Sequence, residues 1–252
     1  MALITGGGRG IGRGVALAFA REGADVAVAA RTLAEVEAVA EAIRGLGRRA
    51  VALPCDVTDP ESAAACVRKA EADLGPVQIL VNNAGIAVSA RLVDTDDALW
   101  HRHLMVNLTG AFYMTRAVLP GMLARGWGRI INVASIAAKQ GAAYTTAYTA
   151  SKHGLLGLTR ALALEVVGAN ITVNALCPGY VATDMTWQSA RRIAEKTGRS
   201  YDDAVRTLAG FSPQKRLIEP EEVAAVAVLL ASEEAQGITG QAINIDGGAV
   251  QA

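Results

Sequence analysis

The sequence predicts an α/β fold built on one doubly wound parallel sheet. Three observations predict it. Short β-rich runs alternate with helical patterns along the whole chain. The runs are nearly continuous in apolar residues, as in strands covered on both faces by helices. A glycine-rich turn, Thr5-Gly-Gly-Gly-Arg-Gly-Ile-Gly12, joins the first run directly to the first helical pattern, which makes the fold Rossmann-like.

The first strand is expected at Ala2–Thr5, where Ala-Leu-Ile-Thr precedes the glycines, and the first helix at Ile11–Glu22. Asp25–Ala30 and Arg49–Pro54 read as the second and third strands, with a helix at Leu33–Leu46 between them. A helix at Pro60–Leu74 leads to a fourth strand at Val77–Val81. Thr109–Leu123 reads as a helix, and Gly128–Ala134, containing Arg129-Ile-Ile-Asn-Val-Ala, as a buried fifth strand. The long helix Tyr148–Val167 precedes a strand at Asn170–Leu176. The chain closes with a helix at Pro220–Leu230 and a strand at Ala242–Ile245. Neither a repeat nor a low-complexity linker interrupts this order, so residues 1–252 read as one domain. Right-handed crossovers are expected throughout, and ligands bind beyond the carboxyl ends of such strands.

Composition narrows the function. The 252 residues suffice for a sizeable core, and hydrophobic content is 52%. No apolar run approaches the roughly 18 residues of a membrane helix, and Val223–Ala231 is among the longest. No basic, apolar leader precedes the first strand, so a cytoplasmic protein is expected. Lys and Arg total 24 and Asp and Glu total 24, with no basic block, which argues against nucleic acid. Cys55, Cys66 and Cys177 lack metal-ligand spacing and read as reduced thiols. His101 and His103 stand two apart on a helical stretch and share no face, while His153 points away from the Lys152 side. They read as local packing, and no metal is expected.

The chemistry-bearing residues fall at the carboxyl ends of the strands. Gly6, Gly10 and Gly12 permit a tight turn and close backbone approach, and the helix start at Ile11 attracts a diphosphate. A site for NAD carries an acid near the end of the second strand. Here the end reads Ala29-Ala30-Arg31, and Arg31 with Arg9 could neutralise a ribose 2′-phosphate. NADP(H) is therefore expected, with NAD(H) as the alternative. Tyr148 and Lys152 are four apart on one helical face. A cation beside the phenol would pull its pKa down from about 10 toward neutrality, giving a usable acid. Ser135, ending the fifth strand, could hydrogen-bond a substrate oxygen. Tyr144 is rejected as the acid because the residue four further on is Tyr148, not a lysine.

The glycine turn Gly6–Gly12, Asn82-Asn-Ala-Gly85, Asn107, Ser135, the Tyr148/Lys152 pair and Pro178-Gly179 stand in the order of a known pattern. On these residues the chain resembles the short-chain dehydrogenase/reductases over residues 2–248. The resemblance implies that Tyr148 donates a proton to a carbonyl as hydride arrives, that Ser135 stabilises the same oxygen, and that Lys152 bonds the nicotinamide ribose. It implies that Asn107 holds a water linking Lys152 to solvent. It further implies adenine contacts from Asp56 and Val57, a ribose side lined by Asn83, Ala84 and Gly85, and nicotinamide contacts from Pro178, Gly179, Val181 and Thr183. The usual assembly of such proteins implies a homotetramer through helices near 107–125 and 148–167.

Substrate identity rests on the segment Asp184–Arg216, expected to form a lid. It carries Arg191, Arg192, Lys196, Arg199, Arg206, Lys215 and Arg216 against Asp184, Glu195, Asp202 and Asp203, an excess of three positive charges. Such a lid would attract the phosphates of coenzyme A or of a carrier arm. The run Ala134–Thr183, with Lys139-Gln140-Gly141, is similar to reductases of 3-oxoacyl and polyketide thioesters. The expectation is reduction of a 3-oxoacyl thioester or similar ketone. Oxidation of a small alcohol, sugar or hydroxyacid is the alternative. A non-catalytic cofactor sensor is disfavoured because both Tyr148 and Lys152 are retained.

Overall fold

Successive side chains of a strand point to opposite faces, and here both sets are apolar, which demands helices on both sides. In the computed structural model, which describes residues 1–251, Ala2 and Ile4 enter one core and Leu3 the other. Seven strands form the sheet: β1 (Ala2–Thr5), β2 (Val26–Ala30), β3 (Ala50–Pro54), β4 (Ile79–Asn82), β5 (Gly128–Val133), β6 (Ile171–Pro178) and β7 (Ala242–Ile245). Their order is β3-β2-β1-β4-β5-β6-β7, and every pairing is parallel. The winding reverses between β1 and β4, which opens a crevice at their carboxyl ends.

Helices α1 (Gly10–Arg21), α2 (Leu33–Gly45) and α9 (Pro220–Ala231) pack on one face through Val15, Phe19, Val36, Ile43 and Val223. Helices α3 (Pro60–Leu74), α5 (Gly110–Arg125) and α6 (Thr146–Val166) cover the other through Val67, Met114, Val118 and Leu162. Observed boundaries fall within about two residues of the expected ones, the uncertainty inherent in element ends.

Two further helical segments lie where the helical stretch around His101 and the helical lid were expected. A short helix, α4 (Asp97–Leu104), is capped by the Asp96 carboxylate, which accepts from the Leu99 amide at 2.7 Å. It runs through a π turn at Met105–Thr109 into α5. The segment after β6 forms α7 (Asp184–Thr197) and α8 (Tyr201–Ala209), which pack on each other through Ala190, Ala204 and Leu208. Both ends of that segment are stitched together, Ala182 N donating to Ile218 O at 2.8 Å and Ile218 N to Tyr180 O at 2.9 Å.

No helix among the described residues is long and apolar enough to cross a membrane. No group of three His, Cys, Asp or Glu among them could hold a metal ion. Cys55, Cys66 and Cys177 are all buried free thiols.

Candidate active site

The glycine turn leaves β1 with Gly6 at φ 62° and Gly10 at φ 52°, a left-handed conformation that glycine alone adopts freely. A side chain on Gly12 would run into the Gly6 carbonyl and the Asn83 amide. One on Gly10 would meet Thr183 Cγ2 at 3.0 Å. The turn is welded to the end of β4: the Thr5 hydroxyl accepts from Asn83 N and Ala84 N, both at 3.1 Å. Asn83 Nδ2 donates back to Thr5 O at 2.9 Å and Gly6 O at 3.0 Å. The Asn83 side chain thus holds the turn, and what it offers the crevice is backbone.

Beyond the turn, α1 begins with no side-chain cap and no acid in its first turn. Its first amides therefore point into the crevice with their partial positive charge available to an anion. Arg31, exposed at the end of β2, makes no ion pair among the described residues. Arg9 is less free, because its guanidinium stands 4.0 Å from Glu35 and 3.7 Å from Asp184. Asp56 accepts from the amide and hydroxyl of Thr58 at 2.9 and 2.7 Å, and these bonds hold its carboxyl below the usual range. Val57 beside it is buried. These residues fit a nucleotide with a diphosphate and a further phosphate: uncapped helix-start amides, a glycine-rich turn and an exposed arginine where an acid would repel charge.

Ser135, Tyr148 and Lys152 converge one strand further on. Ser135 follows β5, and its hydroxyl accepts from Ala137 N at 3.1 Å while hydrogen-bonding the Tyr148 phenol. Lys152 lies one helical turn beyond Tyr148, 5% exposed, with Nζ donating to Val133 O at 2.8 Å. A side chain on Gly85 would stand 3.3 Å from Asn107 Oδ1 and 3.7 Å from Lys152 Nζ. Asn107 sits in the π turn, where π geometry recurs at functional sites. Its Oδ1 accepts from Ile86 N at 2.8 Å, and its Nδ2 donates to Ile86 O and Ser151 Oγ, each at 3.0 Å. The Asn107 side chain is thus occupied by the loop at Ile86 and by Ser151.

One expectation is corrected. Burial raises the Tyr148 pKa above the usual phenol range, the Ser135 hydrogen bond opposes that rise only in part, and Lys152 is not among the groups that lower it. The Lys152 Nζ lies 5.8 Å from the centroid of the Tyr148 ring. Desolvation also pulls Lys152 itself down to about 8. Burial thus favours the protonated, proton-donating form of the phenol.

Pro178 is buried at the end of β6, and Gly179 N donates to Ile245 O at 3.0 Å. Val181 bridges to Ile218, and Thr183 rests on the glycine turn. Tyr180, between them, is raised by burial and close enough to influence Tyr148. It stacks on Phe211 of the lid segment at 5.4 Å. Tyr144 lies outside the cluster, 61% exposed at φ 68°, consistent with its rejection.

Reading residues alone missed several contributors. Asn82 Nδ2 donates to Thr115 Oγ1 and Asn132 Oδ1, and Asn132 Nδ2 to Thr159 Oγ1. This buried chain ties β4 and β5 to α5 and to the helix bearing Tyr148. The signal was present: Asn132 is a polar residue within an otherwise apolar run. Ser151, Tyr180 and Glu35 carried no such signal.

A family model described as Enoyl-(Acyl carrier protein) reductase matches residues 6–250. Nodulation protein G of Azospirillum brasilense is 41% identical over 98% of this chain and 97% of its own. D-beta-hydroxybutyrate dehydrogenase of Cupriavidus necator is 39% identical over 98% of this chain and 96% of its own. A crystal structure of an actinorhodin polyketide ketoreductase variant with NADPH superposes with a TM-score of 0.95, at 38% identity over 98% of this chain and 96% of that one.

Proposed function

The chain belongs to the short-chain dehydrogenase/reductase family of oxidoreductases, and on that premise we propose that it reduces a ketone with NADPH, the substrate being a 3-oxoacyl thioester or similar. The observation that carries this reading is the Ser135–Tyr148 hydrogen bond with Lys152 beneath it, beside a glycine turn built for a dinucleotide. A ketone oxygen placed between the two hydroxyls receives a hydrogen bond from Ser135 and the proton from Tyr148. The raised phenol pKa keeps that proton in place until charge develops on the oxygen. Lys152, which donates to Val133 O and lies 5.8 Å from the centre of the phenol ring, would bond the nicotinamide ribose from the same helix face. Bound NADPH supplies the hydride. Arg31 supports NADPH over NADH, because it stands exposed at the end of β2 with no salt bridge among the described residues. The NADPH in the actinorhodin ketoreductase structure points the same way. Gly6, Gly10, Ile11 and Gly12 would face the diphosphate, Asp56 and Val57 the adenine, Ala84 and Gly85 the ribose, and Pro178, Gly179, Val181 and Thr183 the nicotinamide.

For the substrate, Arg206 and Arg216 are spent on Asp203 and Glu222, and Lys215 donates to Gly210 O. Arg199 donates to Thr207 Oγ1, and Arg191, Arg192 and Lys196 would face an anionic carrier such as coenzyme A. Tyr180, near enough to influence Tyr148, and Phe211 packed on it would offer the substrate an apolar surface. Exposed Phe112 on α5 and Leu164 on α6 support assembly as a homotetramer. A cytoplasmic setting accords with the free thiols.

A second reading, oxidation of a small hydroxyacid, is favoured by the likeness to D-beta-hydroxybutyrate dehydrogenase. A panel of ketones, 3-oxoacyl thioesters and hydroxyacids assayed with both nicotinamide pairs separates them. The proposal expects fastest turnover of a ketone with NADPH. Faster reduction with NADH, or turnover of hydroxyacids alone, overturns it.

A further inference from the structure

We infer that His103 is a positioning residue of this site, clamping the substrate-side loop 86–90 and buttressing the ring of Tyr148. The inference rests on the ketone-reducing reading for its kinetic consequence only. His103 is 0% exposed on α4, and both ring nitrogens are occupied. Its Nδ1 lies 2.9 Å from Leu99 O, a carbonyl that can only accept, so Nδ1 carries the proton. Its Nε2 stands 3.1 Å from Val88 N, which can only donate, so Nε2 offers its lone pair. The pair of partners selects one neutral tautomer.

The geometry of the loop shows what that bond does. The chain leaving β4 is pinned at Ile86 by Asn107, at Val88 by His103, and at Ala90 by the Tyr144 carbonyl, which accepts from Ala90 N at 2.9 Å. His103 is the middle of three pins, and the imidazole that supplies it meets the Tyr148 ring edge-on, centroids 6.4 Å apart at 77°. One side chain thus couples the loop to the proton donor. Neighbouring Asn107 does the same for Ile86 and, through Ser151, for the Tyr148 carbonyl.

Three variants test this with the full-length protein. His103→Leu removes both bonds. His103→Asn keeps a donor near Leu99 but cannot reach Val88. His103→Gln places an oxygen where Nε2 stood. Hydrogen–deuterium exchange across residues 86–90, NADPH affinity by fluorescence, and kcat and KM for the best ketone are compared with the native protein. The expected result is exchange at Val88 faster by about tenfold in the Leu and Asn variants, the scale of one lost buried hydrogen bond. Their kcat falls by about tenfold, NADPH affinity stays within about twofold, and Gln restores both protection and kcat. Native-like exchange and kcat in the Asn variant would overturn the inference even if the Leu variant failed to fold. So would a Gln variant no better than Asn. Absence of ketone turnover in the native enzyme would instead sink the proposed reaction, while the exchange comparison would still decide the role of His103.

Discussion

Replacing Lys152 with methionine should abolish turnover and yet make the ligand-free protein more stable at neutral pH. The side chain is 5% exposed, and desolvation lowers its pKa from 10.5 to about 8. At about 1.4 kcal/mol per tenfold change in acidity, that fall corresponds to about 3 kcal/mol. Methionine keeps the length and the packing but forfeits the bond to Val133 O, which returns about 1 kcal/mol. The net gain expected at pH 7 is about 2 kcal/mol. Because the folded pKa lies below the unfolded one, the unfolded chain binds the extra proton between about pH 8 and 10.5. The cost of the buried cation is therefore fully present below pH 8 and fades as pH rises through that window. Urea denaturation of native and variant apoprotein from pH 7 to 10 measures this directly. The variant should lead at pH 7 and lose its lead toward pH 10. A variant less stable at pH 7, or a difference independent of pH, would refute the claim that a desolvated ammonium is held here.

Other expectations follow from the same geometry. Tyr148→Phe should lower kcat by at least about a thousandfold while NADPH affinity, read by fluorescence titration, changes less than about threefold. Gly12→Ala drives a methyl into the Gly6 carbonyl and the Asn83 amide, so NADPH binding should be lost and the melting temperature should drop by several degrees. Neutralising Arg191 and Arg192 together should raise KM for a coenzyme A thioester by about fivefold at low salt and leave KM for an uncharged ketone unchanged; equal effects on both would dismiss the electrostatic reading of the lid.

Much was legible in the chain because it is written locally. Continuous apolar runs such as Ile130-Ile131 specify strands buried on both faces, and Pro60 and Pro220 open helices that the structure starts at those residues. The four-residue spacing of Tyr148 and Lys152 fixes their shared helical face wherever the helix goes. The π turn was not legible, because nothing in Met105–Thr109 distinguishes it from an ordinary helical turn.

What the sequence by itself determined was the order of elements, the glycine turn and which side chains could do acid–base work. Only the tertiary structure decided their electrostatic state. Tyr148 is pushed up rather than down because desolvation depends on neighbours distant in sequence, and the Lys152 ammonium four residues away donates to Val133 O. His103, read as mere packing, proves to touch both Val88 and the Tyr148 ring. Glu35 is brought near Arg9 from the start of the next helix. Periodicity along a chain records which face a residue occupies, but pKa values and hydrogen-bond partners are set by folding distant segments together, and that information is not local.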